Sequence, residues 1–210
     1  MSTSQSFSER REALLAFVKR AHAGQARCGG YVPTWHHLDR VSRLLESVLW
    51  ETGEGTEEER EAIALAGLGH DILEDTEVSD EEVRRQFGDR AFQLISGMTN
   101  KWGDKNTGPY IENMCRSEES VRLIKLSDLY DNCTSAAQCL FTLGTTWARE
   151  FLIPIVKPMS EAVLKTDFMI YPRTAERMKA LVQNAYRLLE EEVARYEQEG
   201  RAVQPEAGKG

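Results

Sequence analysis

The residues best suited to chemistry lie in three short segments of this chain. In one of them His70 and Asp71 are adjacent, and Glu74 and Asp75 follow one helical turn later. Adjacent side chains on a helix diverge by about 100°, so His70 and Asp71 can reach one ion if that ion lies between helices. Four titratable groups so close together are costly to bury without a metal ion. The segment indicates a metal site, although Glu74 and Asp75 alone could be a solvated helix end.

The two other segments also place polar residues where an amphipathic helix would carry apolar ones. One begins a predicted helix with two adjacent histidines, His36 and His37. In the other, Asp128 and Asn132 lie one turn apart in an otherwise apolar stretch. A carboxylate in such a stretch suits a further metal ligand, and Asn132 could bind a substrate hydroxyl. The alternative for Asp128 is a hydrogen-bonded carboxylate of the core.

The elements that must position these residues are helical in pattern. Apolar residues recur at helical spacing in the segments 8–23, 38–53, 57–73, 80–87, 90–98, 110–116 and 117–139, and along a C-terminal stripe from 175 to 196. Polar loops are expected at 24–34 and 99–108. Since no strand pattern competes, the sequence predicts an all-α fold. We expect one domain over 1–197 and a disordered tail over 198–210.

Composition and charge restrict the class of protein. The formal net charge is −8, which argues against a broad nucleic-acid surface but allows a small phosphorylated substrate bound by a metal ion and local cations. No apolar run approaches the roughly 20 residues that cross a membrane, and the N-terminus lacks the core of a signal peptide. The cysteines, Cys28, Cys115, Cys133 and Cys139, show no CxxC spacing. We therefore expect neither a disulfide framework nor a zinc ribbon, and a reducing cytoplasm as the compartment.

Taken in order, the segments resemble a known family. The chain contains Ala21-His22-Ala23-Gly24-Gln25-Ala26-Arg27, then His37, then His70-Asp71-Ile72-Leu73-Glu74-Asp75, and finally Lys125-Leu126-Ser127-Asp128 with Asn132. This order resembles the hydrolase domain of the RelA/SpoT proteins, which removes the 3′-pyrophosphate from the alarmones (p)ppGpp. Because no synthetase domain follows, the resemblance is to the short, stand-alone alarmone hydrolases. It implies a single compact helical HD-domain fold, of the HD superfamily of metal-dependent phosphohydrolases, and a role in the stringent response.

The resemblance also implies a ligand set and a pair of catalytic residues. One metal ion, usually manganese in this family, would be held by four residues: His37, His70, Asp71 and Asp128. Imidazole and carboxylate without thiolate suit manganese or iron, or another divalent metal, better than a structural zinc ion. Glu74 and Asp75 would hold and activate the attacking water.

The implied substrate contacts lie on either side of the metal site. Arg27 is similar to the family residue that packs on the guanine base, where a planar guanidinium can stack. Asn132 would contact the ribose. Lys101, Lys105 and Arg122 are candidates for phosphate contacts from their charge and neighbourhood alone.

The chain departs from the family pattern around the expected base and ribose pockets. The doubled histidine leaves two candidate ligands, and His37 is preferred because it lies four residues before Val41, as the family's histidine does before its valine. His36 is then expected behind the site or at the surface. Cys28 follows the arginine of the first motif in place of a basic or hydroxyl residue, and Asp131 adds a carboxylate near the nucleotide end. These departures bear on the substrate more than on the reaction.

Three functions are compatible with these residues. We prefer manganese-dependent hydrolysis of the 3′-pyrophosphate of (p)ppGpp or a related alarmone. The alternative is an HD phosphohydrolase acting on another nucleotide, such as a nucleoside monophosphate, a cyclic nucleotide or NADPH. A non-catalytic nucleotide sensor is disfavoured because Glu74 and Asp75 are both present. The long C-terminal stripe could be core or could support a homo-oligomer.

Overall fold

Helices form nearly all of the regular structure in residues 6–103 and 107–200, which are the residues that the computed structural model describes. The helices are α1 (Phe7–Ala21), α2 (Trp35–Thr52), α3 (Glu57–Gly69), α4 (Ile72–Asp75), α5 (Asp80–Phe87), α6 (Asp89–Met98), α7 (Thr107–Arg116), α8 (Glu119–Trp147), α9 (Ile153–Val163) and α10 (Pro172–Gln198). A two-stranded antiparallel sheet pairs β1 (Ala26–Arg27) with β2 (Val32–Pro33). The predicted all-α class is confirmed.

Several helix boundaries follow from local chemistry in the sequence. α1 begins at a capping box, in which the Ser6 hydroxyl accepts from the Glu9 amide at 3.3 Å and the Glu9 carboxylate accepts from the Ser6 amide at 2.8 Å. Thr56 caps α3 and Ser79 caps α5 in the same way, through their side-chain oxygens. α2 ends at Gly53, whose φ of 66° lies in the left-handed region that glycine adopts without steric cost.

The prediction of one continuous helix over 57–73 is wrong, because the helix breaks at the His70-Asp71 pair. α3 ends at Gly69 and α4 begins at Ile72. Between them Asp71 has φ −97° and ψ −2°, away from regular helical values. The periodic apolar residues continue across this break, so the pattern alone did not predict it.

Two other segments also differ from the sequence-based expectation. The predicted loop over 24–34 contains the small sheet, with Ala26 paired to Pro33 and Arg27 to Val32. Strands of two residues are too short to produce an alternating pattern. The helix predicted to end at Cys139 continues as α8 to Trp147, with a change of backbone direction at Gly144 (φ 75°, ψ 170°).

The core lies around α8, which contacts α2, α3, α6 and α10. Most of the C-terminal stripe belongs to this core, since six of its members are buried: Ala175, Met178, Val182, Ala185, Leu189 and Val193. Leu181 and Tyr196 are partly buried, and Leu188 is exposed. The stripe therefore serves packing in this chain, and a homo-oligomer stays a prediction. The proposed domain boundary at 197 also stays a prediction, because residues 201–210 lie outside the described residues.

Two glycines allow α3 to approach its neighbours closely. A Cβ atom at Gly67 would lie 2.5 Å from Leu45 of α2, and one at Gly69 would lie 2.7 Å from the Phe87 ring of α5. The small-residue run before His70 thus permits the close helix packing expected of it. In the part of the chain that the structure describes, no helix is both long and apolar enough to pass through a bilayer.

Candidate metal centre and active site

Three predicted ligands meet where the start of α2 faces the break between α3 and α4. The His70 Nε2 atom lies 3.1 Å from Asp71 Oδ1, and the His37 Nε2 atom lies 3.3 Å from His70 Nε2 and 3.8 Å from Asp71 Oδ2. Both histidines are buried and Asp71 is partly exposed. The break in the helix explains how adjacent residues face the same point, because the pair no longer lies on one regular helix.

The fourth predicted ligand, Asp128 of α8, lies on the other side of the two histidines. Its Oδ1 atom is 3.3 Å from His37 Nε2 and 3.6 Å from His70 Nε2. Lys125 donates to Asp128 Oδ2 at 2.8 Å, and Asn132 donates to Oδ1 at 2.7 Å. Asp128 is therefore a hydrogen-bonded buried carboxylate that also faces the cluster, so both of the roles considered for it are compatible with its position.

The side chains of His37, His70 and Asp71 fit a divalent metal ion, and Asp128 adds a carboxylate beside the two histidines. Within these three residues the donor atoms lie 3.1 to 3.8 Å apart, and Asp128 Oδ1 lies 3.3 and 3.6 Å from the two histidine Nε2 atoms. Adjacent ligands of an octahedral ion with bonds of about 2.1 Å are separated by roughly 3 Å. The Nδ1 atom of His70 lies 2.8 Å from the Gly67 carbonyl, so Nδ1 donates and Nε2 is the nitrogen available to a metal ion once its proton is displaced. Two imidazoles and two carboxylates are a donor set that manganese or iron accepts.

Charge in the cluster also favours a cation. Burial alone would lower the pKa of His70, but the carboxylates of Asp71 and Asp128 outweigh burial and raise this pKa to about 9. Burial would raise the pKa of Asp128, whereas Lys125 and the two histidines hold it well below its usual range. The negative charge that keeps a proton on His70 would equally attract a divalent ion, which must displace that proton to bind.

The two carboxylates predicted to be catalytic, Glu74 and Asp75, lie exposed in α4, next to the cluster. Glu74 Oε1 accepts from the Asn100 amide at 2.8 Å. Partial burial, with the charge of Asp71 adding to it, raises the pKa of both side chains. A carboxylate with a raised pKa is a better proton acceptor near neutral pH than an ordinary one.

The first sequence motif holds α4 in place, which the residue types alone did not reveal. The Gln25 side-chain amide donates to the Asp75 carbonyl at 2.6 Å. Its Oε1 atom lies 2.7 Å from Nδ1 of the buried His22. His22 and Gln25 therefore connect the end of α1 to the segment that carries Glu74 and Asp75.

A cavity of about 180 Å³ opens beside the cluster. One wall is polar and contains Asp71, Glu74, Lys125, Asp128 and Asn132, and the other is mainly apolar, with Met98, Tyr110, Ile111, Leu129, Val156 and Met159. A second cavity, of about 340 Å³, shares Asn132 with the first and is lined by Arg27, Cys28 and Trp147 among others. Asn132 thus lies between a space next to the predicted ligands and a space next to Arg27.

The predicted substrate residues have different positions. Arg27 and Asn132 are together, since the Arg27 guanidinium donates to Asn132 Oδ1. Arg122 lies elsewhere: it donates to the Asp167 carbonyl at 2.9 Å and covers the Phe168 ring, and it lines neither cavity. Lys101 is exposed and also lines neither cavity. Lys105 lies outside the described residues.

Two of the departures noted in the sequence have structural explanations. His36 stacks on the Trp35 ring, with ring centroids 3.6 Å apart, while His37 faces the cluster. Asp131 was expected near the nucleotide end, and this was wrong. It is buried behind His37, whose Nδ1 atom lies 2.7 Å from Asp131 Oδ2. One signal could have indicated this position, because Asp131 follows Asp128 by three residues and so shares a helix face with it.

The pairing of the cysteines also differs from the expectation that none would form a disulfide framework. Cys28 and Cys139 form a disulfide across 111 residues, joining the sheet hairpin to α8, whereas Cys115 and Cys133 are free. The expectation failed because cysteine spacing reveals local motifs but not pairs that only helix packing brings together. A cytoplasmic location stays a prediction, and the disulfide removes the cysteine argument for it.

Comparison with known proteins decides the family. Residues 15–120, half of the chain, match the HD domain. The chain belongs to the HD domain family. The match includes five of the six predicted ligand and catalytic residues, that is, all except Asp128, and it confirms the family expected from the sequence motifs.

This HD domain protein is also similar to curated alarmone hydrolases. It is 26% identical over 195 residues to a guanosine-3′,5′-bis(diphosphate) 3′-pyrophosphohydrolase of Aquifex aeolicus, with 86% of this chain and 27% of the relative covered. It is 33% identical over 106 residues to the MESH1 3′-pyrophosphohydrolase of Drosophila melanogaster, and the match covers 48% of this chain and 54% of the relative. The chain thus spans about a quarter of the first relative and half of the second.

A solved structure supports the fold. The structure of a metazoan orthologue of SpoT that hydrolyses ppGpp superposes with a TM-score of 0.64 and 24% identity, covering 89% of this chain and 98% of that one. The predicted single HD-domain helical fold is therefore confirmed.

Proposed function

We propose that this HD domain protein hydrolyses the 3′-pyrophosphate of (p)ppGpp or a related alarmone, with manganese as its metal ion. The observation that carries the proposal is the convergence of His37, His70 and Asp71, with Asp128 beside the two histidines, next to cavities that Glu74, Asn132 and Arg27 line. Two curated relatives bear the name of this activity, which supports the choice of substrate.

In the proposed reaction, water attacks the phosphorus next to the ribose 3′-oxygen, the bond between them breaks, and pyrophosphate and a nucleoside 5′-phosphate compound leave. A metal ion held by His37, His70 and Asp71, with Asp128 beside them, would act as a Lewis acid on the phosphoryl group and would lower the pKa of a nearby water. Glu74 accepts the proton of the attacking water, since its raised pKa and its position on the cavity wall suit a general base. Asp75 helps to hold that water.

Other residues orient Asp128 or bind the substrate. Lys125 and Asn132 hold Asp128 by hydrogen bonds at 2.8 and 2.7 Å, which keeps its carboxylate directed at the two histidines. Asn132 also contacts Arg27, so both can face a nucleoside that passes from one cavity to the other. The Arg27 guanidinium is suited to stack on a purine base.

One assay tests the substrate. Purified protein with Mn²⁺ should be incubated with ppGpp, ppApp, nucleoside monophosphates, a cyclic nucleotide and NADPH, and the products identified. We expect pyrophosphate from ppGpp. Orthophosphate from a monophosphate, with ppGpp unchanged, would contradict the proposal. Asp71→Ala should abolish turnover, whereas Asp39→Asn, which changes a carboxylate that pairs with Arg11 away from the cluster, should retain it.

A second candidate is the hydrolysis of a nucleotide with fewer phosphates. Among the described residues, the cations that line the two cavities are Arg27 and Lys125, and Lys125 is paired with Asp128. A 5′-diphosphate would therefore meet few free cations there. The same assay separates the candidates, because a less phosphorylated nucleotide would then be the better substrate.

A further inference from the structure

A buried carboxylate behind His37 has no assigned role in the proposed reaction. Asp131 lies in α8, and only 3% of its surface is exposed. Its Oδ2 atom accepts from His37 Nδ1 at 2.7 Å, on the side of the ring opposite to the cluster. The other ring nitrogen, Nε2, lies 3.3 Å from Asp128 Oδ1. The imidazole of His37 is thus held between two carboxylates of one helix.

Arg40 fixes the orientation of this carboxylate. Its Nε atom donates to Asp131 Oδ1 at 2.5 Å and its Nη2 atom donates to Oδ2 at 2.9 Å. A bidentate guanidinium–carboxylate pair has a defined plane and balances a charge that would otherwise be costly to bury. Arg40 follows His37 by three residues on α2, so both side chains lie on the face of α2 that contacts Asp131 of α8.

This arrangement determines which nitrogen of His37 carries its proton. An ionised carboxylate only accepts hydrogen bonds, so Nδ1 must be a donor, and Nε2 is the nitrogen left to bind a metal ion in the cluster. A carboxylate partner also makes the opposite nitrogen a stronger metal ligand. The corresponding partner of His70 is weaker, because its Nδ1 donates to the neutral Gly67 carbonyl and not to a carboxylate.

We propose that Asp131, held by Arg40, is a positioning residue that fixes His37 as a metal ligand through Nε2. The proposal rests on the metal site of the proposed function and is independent of its substrate. If the protein binds Mn²⁺ but leaves ppGpp intact, the proposed substrate fails and this inference remains testable.

The experiment measures Mn²⁺ affinity, by the electron paramagnetic resonance signal of free Mn²⁺, for the wild type, Asp131→Asn and Asp131→Ala. We expect both variants to bind Mn²⁺ about 10- to 100-fold more weakly than the wild type, because the partner of a ligating histidine commonly contributes that much. Excess Mn²⁺ should restore turnover of any substrate that the wild type hydrolyses. A purely structural role would instead lower the melting temperature without changing the affinity of the folded fraction.

The matched control is Asp39→Asn. Asp39 is also held by arginines, at 2.6 Å from Arg11 and 2.9 Å from Arg43, but it has no contact with His37. We expect this variant to keep wild-type affinity within twofold. Wild-type affinity in a folded Asp131→Asn protein would overturn the proposal.

A measurement on the wild type keeps the inference testable if the variants do not fold. Two-bond ¹H–¹⁵N correlation spectra of the Zn²⁺-loaded protein report which His37 nitrogen carries hydrogen. We expect Nδ1 to be protonated. A proton on Nε2 would overturn the proposal regardless of any variant.

Discussion

Single residues in this site act through the partners that surround them. His36 and His37 are the same residue type and are adjacent, yet one stacks on Trp35 and the other faces the candidate metal site. Asp128 and Asp131 are also alike, but one faces the cluster and the other supports a histidine from behind. Position relative to neighbouring helices therefore determines which of two identical side chains faces the candidate metal site.

Glu74 offers a test at this scale that separates catalysis from metal binding. Glu74→Gln keeps the shape of the side chain but removes its ability to accept a proton. We expect kcat to fall by about 10²- to 10⁴-fold, the usual contribution of a general base, with Mn²⁺ affinity unchanged. Steady-state kinetics and Mn²⁺ titration should be run on the same preparation. Loss of Mn²⁺ binding equal to that of Asp71→Ala would show instead that Glu74 is a ligand.

At the scale of elements, close packing of α3 determines the geometry of the cluster. Gly67 allows Leu45 of α2 to pack against α3, and Gly69 allows the Phe87 ring of α5 to do so, just before His70 in the chain. The break after Gly69 then turns Asp71 toward the same point as His70. A side chain at either position would force these neighbouring core side chains to move.

Gly69→Ala should therefore destabilise the fold. The added methyl group would lie 2.7 Å from the Phe87 ring and 2.9 Å from Ile95, too close for contact without movement of these groups. We expect the free energy of unfolding to fall by about 1–3 kcal/mol, as for other overpacked cores, when measured by urea denaturation. Gly108→Ala is the matched control, since a Cβ there meets nothing within 4 Å. Equal stability of the two variants would contradict this account of the packing.

At the scale of the whole molecule, a polar network connects three helices far from the cluster. Arg90 of α6 donates to Glu59 of α3 at 3.0 Å and to Glu118, next to the start of α8, at 2.9 Å. Ser120 of α8 also donates to Glu59 at 3.0 Å. The Arg90 hydrogen bonds, opposed by burial, lower the pKa of Glu59. The Arg90–Glu59 pair within this network contributes its stability while Glu59 is ionised.

The sign of the pH dependence follows from that lowered pKa. The stabilisation is fully present above the unfolded-state pKa of about 4.3 and is lost as the pH falls through the lower folded-state pKa. Glu59→Gln should reduce the free energy of unfolding by about 1 kcal/mol at pH 7, a modest figure because Arg90 is partly exposed to solvent. In urea denaturation the difference from wild type should shrink as the pH falls below about 4. The exposed Glu12→Gln should unfold like the wild type, and a Glu59→Gln difference that persisted unchanged at low pH would contradict this role.

Part of this protein was predictable from local patterns in its sequence. Apolar spacing predicted most helices, because a helix that packs on one side repeats its apolar face every three or four residues. Side-chain chemistry and resemblance to the family motifs predicted the candidate ligand and catalytic residues, which are His37, His70, Asp71, Asp128, Glu74 and Asp75. The family assignment confirms the class of domain. These are properties of residue type and separation along the chain, which need no knowledge of the packed structure.

Only the tertiary structure decided the features that depend on which helix faces meet. The break between Gly69 and Ile72 lies inside a continuous apolar pattern, and close packing of α3 is what leaves His70 and Asp71 facing one point. Asp131 pairs with His37, and Cys28 with Cys139, across separations of about a hundred residues. Such pairings follow from the packing of α2 and the hairpin on α8, and one-dimensional spacing does not encode them.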